Sequence, residues 1–404
     1  MNKILKHYIT IFYNRLKSLY DKRSSYPTII NANAIDESEY TKRALLLWVS
    51  RAFLLGENGP LFLTHQHYRQ NRQVTTVLSD LRFAVDVADV RNRNFTPTRD
   101  YDLVIRNKVS EFPLKSDSIK IYLATTMHHK IHNENIRRRH QLLYERRGRR
   151  VKLRRIQSES MPYVENADAI IGFGNEYIIS TWEGAFNIPV YPFNNYGFKE
   201  TEFLTNSKDF AIARNSFLFY ASKSQVQKGL DLLLEIFPKH PELNLYVCSE
   251  FEKEEDFRAC YYKELYKTPN IHPVGWVRVN SRQYDELIVK CAYVIHPSCA
   301  EGQPGSVVQC MYSGLIPLVT REAGIDTEDF GITFEDDSLE EIERVILDAS
   351  QMPESWHREH SIRTRKASEE KYSEDAFMNS WRNILAEILS GAGKSRLFNN
   401  GKPQ

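Results

Sequence analysis

Cysteine is scarce and confined in this sequence: none occurs before residue 248, and the five present, Cys248, Cys260, Cys291, Cys299 and Cys310, form no C-x-x-C pair. An odd number without that spacing argues against a disulfide scaffold or a thiolate zinc site. It suits a reducing compartment, so a cytoplasmic location is expected. Long apolar runs are also lacking. None approaches the ~20 residues of a membrane-spanning helix, and no apolar core precedes a small-residue cleavage site. Short-period repeats and marked low-complexity tracts are absent. Net charge is nearly absent too: 54 Lys and Arg against 52 Asp and Glu leave +2, which points to no class of partner.

A chain of 404 residues with 42% hydrophobic and 26% charged residues has the make-up of a soluble protein with room for two domain cores. The charge that is present is unevenly placed. Residues 130–156, "KIHNENIRRRHQLLYERRGRRVKLRRI", hold eleven Lys and Arg against Glu134 and Glu145 alone. The run lacks the interleaved aromatics of a single-strand nucleic-acid reader, and no nucleic-acid module is visible, so no nucleic-acid partner is expected. It reads as a solvated or membrane-facing helix. At the N-terminus Ile4, Leu5, Tyr8, Ile9, Phe12, Leu16 and Leu19 recur at helical spacing, with Lys3, Lys6, Arg15, Lys17, Lys22 and Arg23 between them. Such a basic amphipathic helix either lies on an anionic membrane surface or packs on its own protein. Residues 24–40, with Pro27 and several Asn, Ser and acidic residues, read as a linker.

From about residue 60 the pattern alternates between short apolar runs and helical segments. "PLFLTH", "FAVDVADV", "YDLVI", "IKIYLATT", "ADAIIGFG" and "IPVYPFNNYGF" are strand candidates in the first half. After a polar stretch near residues 199–212, "SFLFYAS", "LNLYVCS", "IHPVGW", "AYVIHPS" and "IPLVT" follow in the second. The expectation is an α/β protein with two doubly wound, Rossmann-like domains facing a cleft. The expected divisions are an N-terminal helix and linker (1–50), an acceptor-side domain (51–205), a nucleotide-sugar-binding domain (206–370) and a C-terminal crossover helix and tail (371–404).

The stretch "HPSCAEGQPGSVVQCM", residues 296–311, follows the strand "AYVIHPS" directly. Loops at the carboxyl ends of strands line the ligand crevice of an open α/β sheet. Pro304 suits a first helical position and Gly314 a helix end. The N–H groups of Gly302, Gln303, Gly305 and Ser306 can then face an anion, with the helix dipole adding to the attraction. In "FLFYASKSQVQKGLDLLLEIF", Lys223 and Lys228 occupy the loop and helix start after the second half's first strand, where two cations would neutralise a diphosphate. Carboxylates in "DVAD" (86–89) and "EDD" (335–337) read as a strand end and a solvated loop. His65 and His67 in "LTHQHYRQN", and His128 and His129 in "TTMHHK", each follow a strand; each reads as a cleft-facing group or as a hydrogen-bonded structural histidine.

The order strand, Lys223, Lys228-Gly229, "LDLLLEIFPKHPELNLYVCS", "PVGWV", "IHPSCAEGQPGSVVQCMYSGLIPLVT" resembles the donor domain of GT-B glycosyltransferases of the retaining family 4 type, the glycosyl transferases group 1. The resemblance covers roughly residues 213–325 and is weaker over the first half. It implies that Lys223 and Lys228 contact the diphosphate of a nucleotide-sugar donor and stabilise the departing nucleotide. It places Glu301 beside the transferred sugar as the first Glu of a Glu-x7-Glu motif. Gln309 stands where a second Glu usually holds the ribose hydroxyls, and Val274, Gly275, Trp276 and Val277 border the nucleobase. His129 or His128 takes the place of a family histidine, and His65 and His67 fall on the acceptor side. Neither a metal nor another cofactor is implied. The expected activity is metal-independent retaining transfer to a glycan or lipid-linked acceptor. A catalytically silent homologue serving as partner or scaffold, and a nucleotide-sugar epimerase, are the alternatives.

Overall fold

A computed structural model of the chain describes residues 26–36, 40, 42–56, 59, 62, 65–92, 95–107, 112–198 and 203–391. The amphipathic pattern of residues 1–23 and the last thirteen residues lie outside that set. The chain divides into two compact units, Met1–Ile121 and Tyr122–Gln404.

In the first unit, β1 (Lys42–Trp48) pairs in parallel with β2 (Phe83–Asp89) and β3 (Leu103–Arg106), and α1 (Gln66–Asp80) connects β1 to β2. The run "ALLLW" of β1 is buried throughout, as a parallel strand covered on both faces requires. This strand lies outside the expected acceptor-side segment, which began at residue 51, and most of "PLFLTH" falls outside the described residues. The "DVAD" carboxylates are structural. Asp86 accepts from the Tyr101 hydroxyl and the Asn31 N–H, both at 2.8 Å, and Asp89 holds Arg91 at 2.7 and 2.8 Å.

Strand β4 (Ile119–Ala124) spans the division. The second unit continues with α2 (His129–Arg147), β5 (Ala169–Phe173), α3 (Glu176–Glu183) and β6 (Val190–Phe193), so the first sheet has the order β2-β1-β3-β4-β5-β6. Then come β7 (Ser216–Tyr220), α4 (Leu230–Ile236), β8 (Asn244–Cys248), β9 (Ile271–Pro273), α5 (Arg282–Lys290), β10 (Tyr293–His296), α6 (Gly305–Tyr312), β11 (Ile316–Thr320) and β12 (Ile332–Phe334). They form a second six-stranded sheet, β12-β11-β10-β7-β8-β9. Helices α7 (Leu339–Gln351), α8 (Glu354–Lys371) and α9 (Glu374–Leu389) follow. Along β7, Phe217 and Phe219 pack with Leu233, Ile342 and Ile346 on one face, while Leu218 and Tyr220 pack with Leu287, Val307 and Met311 on the other. That alternation is the period of two that a strand covered by helices on both sides displays. Ser281, Ser338 and Ser373 cap α5, α7 and α9, each contributing about 1 kcal/mol. The α9 residues Trp381 and Phe377 meet Phe193 and Tyr196, at centroid distances of 5.3 and 5.1 Å.

The arginine-rich run is solvated only in part, and several of its arginines are tied to carboxylates. Arg139 is fully buried (0% exposed), donates to Asp337 at 2.8 Å and to the Pro297 carbonyl at 3.2 Å, and lies 3.9 Å from Asp231. Arg146 joins Asp231 at 2.9 Å and Glu235 at 3.0 Å; Arg147 holds Glu264 at 2.7 Å. Arg138 pairs with Asp337, and Arg154 with Asp256. Their acidic partners all belong to the segment that carries the second sheet. Asp337, expected in a solvated loop, is therefore an ion-pair centre. Burial would raise its pKa, but Arg139 and Arg138 outweigh that and hold it at about 2. In Asp231 burial dominates instead and lifts the carboxyl to about 6 against the pull of Arg139 and Arg146.

Candidate functional site

Strands β10 and β7 are parallel neighbours, with Tyr293 opposite Phe217 and Val294 opposite Leu218. Their carboxyl-end loops, 297–304 and 221–229, therefore leave the sheet side by side. The Cys299 N–H donates to the Gln227 carbonyl at 2.8 Å, and the Gln227 amide donates to the Ala300 carbonyl. Gly229, at φ +82°, closes the second loop, and a β-carbon there would fall 2.3 Å from the Pro297 carbonyl oxygen. Only glycine permits that approach.

These loops bring Lys228 and Glu301 into a buried ion pair, with the residues 5% and 8% exposed. Burial favours the neutral carboxyl in Glu301, yet Lys228, helped by Arg155 and His296, holds it well below the usual carboxylate range. Burial lowers the Lys228 pKa and Glu301 opposes that. His296, at the end of β10 and 0% exposed, stacks on Phe219 with its Nε2 3.9 Å from Glu301. Burial keeps its imidazole neutral. At 3.9 Å the Glu301 contact is too long for a hydrogen bond, and among the described residues neither ring nitrogen has a hydrogen-bond partner, nor do the neighbouring Ser298 Oγ and Gln227 Oε1. Each such buried orphan costs ~1–3 kcal/mol, and a cluster of them calls for a functional explanation.

Helix α6 starts at Gly305 with Pro304 as N-cap, one position earlier than a first helical residue. The first bonds back to Pro304 come from Val307 and Val308, at 3.0 and 3.2 Å. The N–H groups of Gly305 and Ser306 have no acceptor within the helix and carry its positive dipole end. Gly302 lies against the first sheet's loop: a β-carbon there would meet the Thr125 carbonyl oxygen at 2.6 Å. Lys223 is exposed on the second loop.

Two side chains of the motif are engaged by residues 194–198 and 324. Gln303 accepts from the Asn195 N–H at 2.6 Å and donates to Asn194 Oδ1 and the Gly324 carbonyl, both at 2.8 Å. That uses both its amide hydrogens, so its side chain holds the 194–195 segment, while the contact expected of Gln303 is through its backbone N–H. Gln309, 3% exposed, accepts from the Phe198 N–H at 3.0 Å. While that bond holds, this amide oxygen is committed to the segment between the sheets.

In the 274–277 stretch, Val274 and Gly275 donate to the Val247 carbonyl at 3.0 and 3.2 Å, and Tyr220 donates to the Val277 carbonyl at 2.8 Å. Trp276 stands out from this frame, 62% exposed. His129 donates through Nδ1 to the Ser158 carbonyl at 2.6 Å and faces the Tyr122 hydroxyl through Nε2 at 3.5 Å, the bonds of a structural histidine. Half-buried His128 packs edge-on to Trp182 at 5.2 Å, and burial lowers its pKa. In the first unit, His65 and His67 are exposed, His65 stacked on Tyr68 at 4.2 Å and His67 edge-on to Trp48, the last residue of β1, at 5.8 Å. Sequence reasoning missed Arg155 and His296. His296 stood inside the quoted motif, whereas Arg155 was one cation in a run of eleven.

Among the described residues no group of three or more His, Cys, Asp or Glu is placed to hold a metal ion. No described helix is long and apolar enough to cross a membrane.

Residues 214–351 match the family model of the Glycosyl transferases group 1. Among solved structures the chain is similar to sucrose-phosphate synthase from Thermosynechococcus elongatus, at 11% identity and TM-score 0.53 over 87% of this chain and 100% of that one. It is also similar to Anabaena HepE in complex with UDP and glucose, at 12% identity and TM-score 0.50 over 87% and 99%. These likenesses show the two-domain GT-B fold. The chain spans 54% of the length of TarM, to which it aligns with 14% identity over 70% of its own residues and TM-score 0.48. Among curated proteins none matches.

Proposed function

We propose, from the match of residues 214–351 to the Glycosyl transferases group 1, that the protein is a retaining, metal-independent glycosyltransferase. It moves a sugar from a nucleotide-sugar donor to a glycan or lipid-linked acceptor in the cytoplasm. The observation that carries this reading is the convergence of Lys228, Glu301 and the free start of α6 at the carboxyl edge of one parallel sheet. The bound UDP and glucose of HepE support a donor of the same class.

Breaking a sugar–diphosphate bond develops negative charge on the leaving diphosphate and positive charge on the sugar carbon. Cations and N–H groups fixed in advance are the efficient way to stabilise that charge. Lys223 and Lys228, with the N–H groups of Gly305 and Ser306, face the diphosphate. Glu301 lies beside the sugar, its carboxylate kept ionised by Lys228. Trp276 offers an exposed ring beside the nucleobase. No cation beyond these side chains is required for the leaving group.

The basic amphipathic pattern of residues 1–23 supports association with an anionic membrane surface. Deleting those residues should release the protein from anionic vesicles, and high salt should mimic part of the loss. The transfer reading is tested by incubating the protein with a panel of nucleotide sugars and candidate acceptors in excess chelator, and following the product by NMR. Transfer with retained anomeric configuration is the expected result. Isomerised free sugar would point to an epimerase instead, and no turnover of any donor to a silent partner.

A further inference from the structure

Arg155 differs from most arginines of its run. Arg138, Arg139, Arg146, Arg147 and Arg154 each hold a carboxylate, whereas the exposed Arg155 side chain makes no ion pair or hydrogen bond among the described residues. Its backbone sits at φ +59°, a region that a residue with a β-carbon enters only when its surroundings impose it.

The surroundings are visible. His132 donates through Nε2 to the Arg155 carbonyl at 3.0 Å, and Asn133 binds both the Gln157 carbonyl, at 2.9 Å, and the Gln157 N–H, at 2.8 Å. The same turn of α2 is tied to the Glu301 loop. The Thr126 hydroxyl donates to His132 Nδ1 at 2.9 Å, the Met127 N–H donates to the Glu301 carbonyl at 3.1 Å, and Asn135 donates to the Cys299 carbonyl at 2.9 Å. One short stretch, residues 126–135, thus fixes both the loop that presents Glu301 and the strained residue that presents a guanidinium. The Arg155 charge acts on this site, lowering the pKa of both Glu301 and Lys228. Neither loop lysine offers the planar fork with which an arginine grips a phosphoryl group through two N–H bonds.

We propose that Arg155 is a phosphate-binding residue of the site, taking a phosphoryl group of the nucleotide-sugar donor or of a phosphorylated acceptor alongside Lys228. This rests on the glycosyltransferase reading. The test is calorimetry of the full chain with UDP, GDP and ADP, and separately with glycerol 3-phosphate, for wild type, Arg155→Gln, Arg155→Lys and Arg155→Gly. Thermal melts confirm that each variant folds. Arg155→Gly relaxes the backbone while removing the charge, so it separates the two effects. Loss of about tenfold in nucleoside-diphosphate affinity in both Arg155→Gln and Arg155→Gly, partly restored in Arg155→Lys, assigns Arg155 to the donor. An equal loss confined to glycerol 3-phosphate assigns it to the acceptor. Folded variants that bind every probe as tightly as wild type overturn the proposal. Wild-type protein that binds no nucleoside diphosphate at all contradicts the glycosyltransferase reading itself.

Discussion

Two basic regions of the second unit differ in how their charge is matched. Along α2 and the segment after it, Arg138, Arg139, Arg146, Arg147 and Arg154 meet Asp337, Asp231, Glu235, Glu264, Glu254 and Asp256. At Glu301, by contrast, Lys228 and the Arg155 charge act on one carboxylate, with a buried imidazole beside it. Matched charge holds two segments of chain together, whereas surplus positive charge beside a helix N-terminus is suited to an anion. The density of arginine in the sequence draws the eye to the first region, but the chemistry belongs to the second.

The sharpest way to break that contrast on the structural side is to remove Arg139. Arg139→Leu leaves Asp231 and Asp337 buried with fewer partners and should destabilise the protein by ~3–5 kcal/mol. A thermal or urea melt reads the loss; an unchanged melt would mean that the matched arginines hold nothing. A smaller effect is expected from acid. The Asp337 carboxyl, 15% exposed, has its folded pKa depressed from 3.8 to about 2. Its contribution is thus fully present above pH ~4 and lost as pH falls towards 2, on the order of 2 kcal/mol. The stability difference between wild type and Asp337→Asn should accordingly shrink over that window, and a constant difference would show that Asp337 titrates normally. Smallest is Gln309→Leu, which deprives the Phe198 N–H of its acceptor and should cost about 1 kcal/mol in the melt. Gln309→Glu retains an acceptor oxygen and should melt close to wild type. If Gln309→Leu instead leaves the melt unchanged and abolishes donor binding, the residue serves the ribose after all.

The α/β alternation, the second sheet from β7 to β11 and the meeting of Lys228 with Glu301 were legible because they rest on local runs and on one motif. What was not legible depends on long-range partners. Strand β1 was hidden behind a polar segment read as linker, and β12 is only three residues long. The arginine run reads as solvated because its partners Asp231 and Asp337 lie 85 and 198 residues away. The Gln309 side chain looks like a ligand contact in the motif, yet the Phe198 N–H that engages it lies 111 residues earlier. Local pattern reports a residue's chemistry, and the fold then decides which partner uses it.

The central claim is that the Lys228–Glu301 edge stabilises a departing diphosphate. Nucleoside-diphosphate release from the preferred nucleotide sugar, measured for wild type and Lys228→Ala with melts to verify folding, tests it most directly. The expected result is a fall in turnover of about 100-fold or more, roughly 2.7 kcal/mol of lost transition-state stabilisation. A folded Lys228→Ala protein that releases nucleotide at the wild-type rate would contradict it.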